Sequence, residues 1–134
     1  MIKVVVVDDH DVVRGAVSAL LDANDEMEVI GEATNGKEAI AVVEELMPDV
    51  VVMDISMPGM DGITATEKIT ASNGRHTRVV MLSMYASSDL VEQALKNGAT
   101  GYLLKRSTPA ELVKGVVAAS QGKRFLSAGI SPHI

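Results

Sequence analysis

The chain has 134 residues, a formal net charge of −6 and no cysteine. That length suits one domain burying roughly two thirds of its unfolded surface, the acidity disfavours direct binding to nucleic acid or an anionic membrane, and nothing requires an oxidising compartment. Met1 leads straight into a strand pattern rather than a signal peptide, and no apolar run approaches the ~20 residues of a membrane span, so the expected location is cytoplasmic.

Residues 3–7 form a valine-rich run that reads as a first buried strand, and it ends in Asp8-Asp9. Val13, Val17, Leu20 and Leu21 then set the apolar stripe of a first helix. A second strand is expected over 28–33. Asn35 with Glu38 opens a second helix, whose stripe is Ile40, Val43 and Met47. Residues 50–53 are the third strand and run into Asp54. The third helix, about 62–72, has the weakest stripe, Ile63, Thr66 and Ile69. A fourth strand over 79–82 leads to Ser83, and a fourth helix with Leu90, Ala94 and Leu95 stops at Gly98. Residues 101–104 are the fifth strand and are followed by Lys105. Thr108, Pro109 and Glu111 make a capping box with proline at the first helical position. The fifth helix then carries Leu112, Val113, Val116 and Val117 and ends by Gly122. Five strands alternating with five helices predict an α/β fold, a doubly wound five-stranded parallel sheet covered on both faces. With Tyr85, Tyr102 and Phe125 as the aromatic residues, its core is aliphatic, with methionine filling gaps.

In such sheets ligands bind beyond the carboxyl ends of the strands. Asp8, Asp9, Asp54, Ser83 and Lys105 all fall there. Polar residues are common where strands become loops, so any one of them means little, but together they describe a site. Three carboxylates held close repel one another, and burial raises their pKa values, so the arrangement is stable mainly around a cation. Oxygen donors without a cysteine or histidine cluster point to a hard ion, and Mg²⁺ is the one that keeps positions open for phosphate oxygens. Lys105 opposite them suits incoming phosphoryl charge. His10, His76 and His133 are too scattered in the chain to form a metal site and read as surface or packing residues.

The runs Val-Val-Asp8-Asp9-His10, Asp54-Ile-Ser-Met57-Pro58-Gly59-Met60-Asp61-Gly62, Met-Leu-Ser83 and Gly98-Ala-Thr-Gly101-Tyr102-Leu-Leu-Lys105 give residues 2–122 a resemblance to the receiver domain of two-component response regulators. Asp8-Asp9-His10, Gly31-Glu32-Ala33 and Tyr102-Leu-Leu-Lys105 are similar to the NarL/FixJ-type branch, whose members usually carry a C-terminal helix-turn-helix DNA-binding domain. The resemblance implies a flavodoxin-like sheet of order 2-1-3-4-5 and a receiver (phosphoacceptor) domain over residues 1–122. Residues 123–134, with Phe125, Leu126, Ile130 and Ile134 among the turn formers Ser127, Gly129 and Pro132, resemble the start of an interdomain linker. The expectation is a fragment of a transcription regulator whose helix-turn-helix domain is absent.

The resemblance also implies roles. Asp54 accepts a phosphoryl group from a phosphohistidine of a sensor histidine kinase, in a Mg²⁺-dependent reaction. Asp9, Asp54 and the backbone carbonyl of Ser56 hold the ion, with Asp8 acting through water. Lys105 pairs with the phosphoryl oxygens, Ser83 hydrogen-bonds one of them, and Tyr102 is the aromatic switch that turns inward when Ser83 moves. Ser56 and Tyr85 border the path of a hydrolysing water. Ser56 cannot orient that water and Tyr85 can shield it, so slow self-dephosphorylation is expected. The domain is then a regulatory switch rather than an enzyme, catalysing only its own phosphorylation and dephosphorylation. Its partners are the kinase and, once phosphorylated, a second copy, through either the fourth helix, fifth strand and fifth helix or the first and fifth helices. DNA is reached only through the missing domain, and no membrane is involved. Arg106 stands where many receivers have a proline after the lysine, leaving the isomer of the Lys105-Arg106 bond open, and Met84 stands where a small residue is common. A haloacid-dehalogenase-like Mg²⁺ phosphatase needs an acid two residues past its nucleophile, where this chain has Ser56. A receiver-like module that no longer takes phosphate is opposed by the presence of all five site residues.

Overall fold

The computed structural model describes residues 1–73, 76–85, 87–127 and 129–130. His133, with Pro132 and Ile134, lies outside the described residues. The elements run β1 (Ile2–Val7), α1 (Asp11–Asp22), β2 (Met27–Ala33), α2 (Gly36–Leu46), β3 (Val50–Asp54), α3 (Gly62–Asn73), β4 (Arg78–Ser83), α4 (Ser88–Lys96), β5 (Gly101–Leu104), α5 (Pro109–Ser120) and β6 (Phe125–Leu126). The sheet is parallel throughout, in the order β2-β1-β3-β4-β5-β6.

Because side chains alternate across a strand, the central strands supply two cores. Val5, Val7, Val51, Met53, Val79, Met81 and Tyr102 face one layer with Ala39 and Val43 of α2, Ala65 and Ile69 of α3, and Val91 and Ala94 of α4. Val4, Val6, Val50, Val52, Val80, Leu82 and Leu103 face the other, with Leu21 of α1 and Leu112, Val116 and Ala119 of α5. Helices on both faces explain why β1, β3 and β4 read as unbroken apolar runs.

Caps set the helix starts. Asn35 accepts the Glu38 N–H at 2.8 Å, and Thr108 and Glu111 close the expected capping box, with Pro109 inside it. The weak stripe of α3 contains Thr66, whose buried hydroxyl donates to the Gly62 carbonyl at 2.7 Å, so its polar atom is satisfied within the helix. Met47 departs from its expected place on the α2 stripe. It caps the helix in the left-handed region (φ 49°) and is exposed, because the chain must leave the helix there to reach β3. His76 lies at the surface, its Nε2 2.9 Å from the Met47 carbonyl oxygen.

The sheet has six strands rather than the expected five. The sixth comes from the stretch read as the start of a linker: Phe125 and Leu126 pair with Gly101 and Tyr102. A two-residue strand is too short to show alternation in sequence. Its causes are tertiary. Gly122, with φ 74°, turns the chain out of α5 while the Lys123 N–H bonds back to the Ala118 carbonyl at 2.9 Å. Gly115 lacks the Cβ that would press on Leu103 and touch Phe125. Ser127 then locks the return: its N–H donates to the Tyr102 carbonyl at 3.1 Å, and its buried hydroxyl accepts the Leu104 N–H at 3.2 Å. No cis peptide occurs among the described residues, so the Lys105-Arg106 bond is trans.

Candidate functional site

β1, β3, β4 and β5 are consecutive neighbours in the sheet, so the residues at their carboxyl ends form one row: Asp8 and Asp9, Asp54, Ser83 and Lys105. Backbone bonds hold that row. The Asp8 N–H donates to the Ala33 carbonyl at 3.1 Å, the Ile55 N–H to the Leu82 carbonyl at 3.3 Å, and the Lys105 N–H to the Ser83 carbonyl at 2.8 Å. Gly62 allows the loop after Asp54 to fold close, since a Cβ there would collide with the Asp54 carbonyl oxygen.

The Lys105 ammonium lies 3.2 Å from Asp8 Oδ2 and 3.3 Å from Asp54 Oδ2. Asp54 is 3% exposed, and its Oδ1 accepts the Ser56 N–H at 3.2 Å. Burial pushes the Asp54 carboxyl above the usual carboxylate range. The Lys105 charge opposes that rise, and the Asp8 charge adds to it. Burial by itself lowers the Lys105 pKa, but attraction to Asp54 and Asp8 outweighs it and the net direction is up. Three carboxylates against one ammonium leave the centre anionic.

The donor set fits a hard divalent cation. Carboxylate oxygens of Asp8, Asp9 and Asp54 and a ring nitrogen of His10 all lie within 4.8 Å of one another. Asp9 Oδ1 is buried and has no hydrogen-bond partner among the described residues, an orphan that a cation would satisfy. His10 is the member that sequence reasoning set aside. Its Nδ1 is 3.4 Å from both Asp8 Oδ1 and Asp9 Oδ1, although its ring is largely exposed. Its direct succession to the acidic pair was the available signal. Ser56 is exposed.

Ser83, Tyr85 and Tyr102 form a second chain of contacts. Ser83 Oγ accepts the Tyr85 N–H at 3.0 Å, and the Tyr102 hydroxyl donates to the Tyr85 carbonyl at 3.0 Å. The Tyr102 ring is fully buried, turned inward. Burial also raises its phenol pKa, with Ser83 pulling the other way. The Tyr85 ring points largely to solvent, as does Met84.

Fold and site together define a flavodoxin-like α/β domain with a carboxylate–lysine centre suited to a divalent cation and an incoming anion. The family described as the response regulator receiver domain matches residues 4–117. The chain is 40% identical to the transcriptional regulatory protein LiaR of Bacillus subtilis (strain 168) over 134 residues, which are 100% of this chain and 63% of that protein. It superposes with a TM-score of 0.93 and 36% identity on a two-component response regulator of the LuxR family from Aurantimonas sp. SI85-9A1, covering 97% of this chain and 92% of that one. For the signal receiver domain of NarL from Mycobacterium tuberculosis the TM-score is 0.87 and the identity 38%, over 91% of this chain and 98% of that one. This chain belongs to the receiver domain family of two-component response regulators, in its NarL/FixJ-type branch. A phosphorylation switch is the general function of that family. The chain spans less than two thirds of the length of the curated relatives it matches. No helix among the described residues is long and apolar enough to cross a membrane.

Proposed function

We propose that this domain takes a phosphoryl group onto Asp54 from the phosphohistidine of a sensor histidine kinase and passes the change to a transcription-regulating output domain. The observation that carries the reading is the Lys105 ammonium between carboxylate oxygens of Asp8 and Asp54, at 3.2 and 3.3 Å. Asp9 and Asp54, with the Ser56 carbonyl, would hold Mg²⁺, and Asp8 would act through water. When bound, the ion neutralises the charge that develops on the transferring phosphoryl oxygens.

This chain's own residues do the rest. Lys105 lowers the cost of ionising the buried Asp54 and so keeps its carboxylate available as nucleophile. An Asp54 oxygen forms the new bond to phosphorus in line, the phosphorus–nitrogen bond breaks, and its electron pair returns to the imidazole. Lys105 then turns toward the phosphoryl oxygens. Ser83, which now accepts from Tyr85, instead gives its hydroxyl hydrogen to one of them. That exchange reaches Tyr102 through the Tyr85 backbone and biases a two-state element.

Regulation of this kind makes the domain a switch rather than a turnover enzyme. Its further partner is a second copy after phosphorylation, with DNA engaged only through a C-terminal domain, and its location is the cytoplasm. The receiver unit proposed over 1–122 is completed by β6, so a linker within 123–134 starts beyond that strand. Incubation with acetyl phosphate and Mg²⁺ tests the reading. Wild type should gain one phosphoryl mass, and neither Asp54→Asn nor chelator-treated wild type should gain any. Equal labelling of Asp54→Asn would falsify the assignment, and sustained phosphate release would favour a phosphatase.

A further inference from the structure

The acidic pair sits on a three-residue connection between the end of β1 at Val7 and the start of α1 at Asp11. The Asp8 N–H is held by Ala33 on β2 at 3.1 Å, and the His10 N–H donates to Asp8 Oδ1 at 2.8 Å. Those two bonds leave the peptide that joins Asp8 to Asp9 to be set by something else. Arg14, one turn into α1, reaches back to it: Nη1 donates to the Asp8 carbonyl oxygen at 2.8 Å. The same guanidinium donates through Nε to Glu32 Oε1 at 3.0 Å and through Nη2 to Asp11 Oδ1 at 2.7 Å. Its side chain is 16% exposed.

We infer that Arg14 is a positioning residue for the cation site: anchored on β2 and α1, its planar fork fixes the Asp8-Asp9 peptide and so the place from which Asp9 presents its carboxylate. The inference rests on the reading of Asp9 as a Mg²⁺ ligand. Three donors in one plane satisfying three acceptors on the β1–α1 connection, α1 and β2 is a task for which guanidinium is suited and a flexible ammonium is not. A rotation of that peptide would carry the Asp9 Cα with it. Groups that orient metal ligands at one remove typically change metal affinity about 10–100-fold when lost.

Electrostatics supplies a difference in sign. Removing a positive charge beside a cation site should strengthen Mg²⁺ binding if charge were all that Arg14 contributed, whereas loss of positioning should weaken it. Calorimetric titration of the full chain with Mg²⁺ therefore decides. Arg14→Met is expected to raise the dissociation constant about tenfold. Arg14→Lys keeps the repelling charge and loses the fork, so it should bind more weakly than wild type and no more tightly than Arg14→Met. A distant core variant such as Ile69→Val should lose stability without change in Mg²⁺ affinity, which separates positioning from general loosening. Unchanged or tighter binding by both Arg14 variants overturns the inference. If Arg14→Met does not fold, Arg14→Lys alone decides by the same criterion. Wild type that binds no Mg²⁺ overturns the underlying metal reading and the inference with it.

Discussion

Tyr102 donates its hydroxyl hydrogen to the backbone carbonyl of Tyr85 at 3.0 Å, with its own ring fully buried and the Tyr85 ring 61% exposed. The same Tyr85 gives its N–H to Ser83 Oγ. One residue's backbone therefore links the hydroxyl proposed to sense the phosphoryl group to the aromatic ring proposed to report it. Loss of the Tyr102 hydroxyl should separate sensing from reporting. Tyr102→Phe is expected to lose about 1 kcal/mol of stability, to accept phosphoryl from acetyl phosphate at close to the wild-type rate, and to show a weaker phosphorylation-dependent shift toward dimer by light scattering. A full dimer shift in the variant would show that the bond has no part in transmission.

The buried Asp54 carboxyl makes a prediction about pH. Its pKa is raised in the folded state, so between the unfolded and the folded value the folded protein binds more of a proton there than the unfolded chain does. Stability therefore falls as pH rises from the unfolded value through the folded one. Asp54→Asn removes this cost. In chelator at neutral pH it should melt above wild type, and the gain should shrink as the buffer is made acidic. Saturating Mg²⁺ should then raise the wild type more than the variant. A lower melting temperature for Asp54→Asn at neutral pH in chelator would contradict the sign. Lys105, also raised, works the other way at the alkaline end: its contribution is present below its ordinary value and is lost as pH climbs through the folded one.

The metal ligands should rank by role. Asp9→Ala should weaken Mg²⁺ binding more than Asp8→Ala, because both Asp8 oxygens are already engaged, Oδ2 3.2 Å from the Lys105 ammonium and Oδ1 accepting the His10 N–H, whereas the nearest cationic group to Asp9 Oδ1 is the largely exposed His10 ring at 3.4 Å. Titration of the two variants side by side gives the order, and the reverse order would overturn the assignment.

β6 should be needed for stability. Ser127→Ala leaves the buried Leu104 N–H without its acceptor, a loss of about 1–3 kcal/mol that urea unfolding can measure. A chain truncated after Gly122 should lose more, since Leu126 and Phe125 also leave the two cores. Wild-type stability in the truncated chain would return the segment to the status of a plain linker.

Lifetime of the acyl phosphate tests Tyr85 and Ser56. The proposal of slow self-dephosphorylation has Tyr85→Ala decaying faster than wild type, and Ser56→Asn faster as well, since an amide there could orient water. The exposed Tyr85 ring must fold over the site to shield it, so an unchanged decay in Tyr85→Ala would mean that it stays in solvent.

Most of the architecture was legible because its cause is local or periodic. Valine runs buried on both faces, helical stripes, the Asn35 cap and the Thr108 box each act within a few residues, and they located five strands to within one residue at each end and an apolar stripe on each of the five helices. The site followed, since strand ends in a parallel sheet converge whatever the loops do. What the tertiary structure decided depends on contacts distant in the chain. β6 exists because Gly115 and Gly122 let α5 and its exit leave room beside β5, and Ser127 finds the Leu104 N–H. Met47 leaves its stripe because α2 must end to let β3 begin. Arg14 ties the β1–α1 connection and α1 to β2 only once those elements are packed, and His10 meets the carboxylates only through the turn that Asp8 itself makes. Sequence periodicity reports which face of an element is dry. It carries no record of which long polar side chain will reach across three elements, because that reach is set by the packing of all of them.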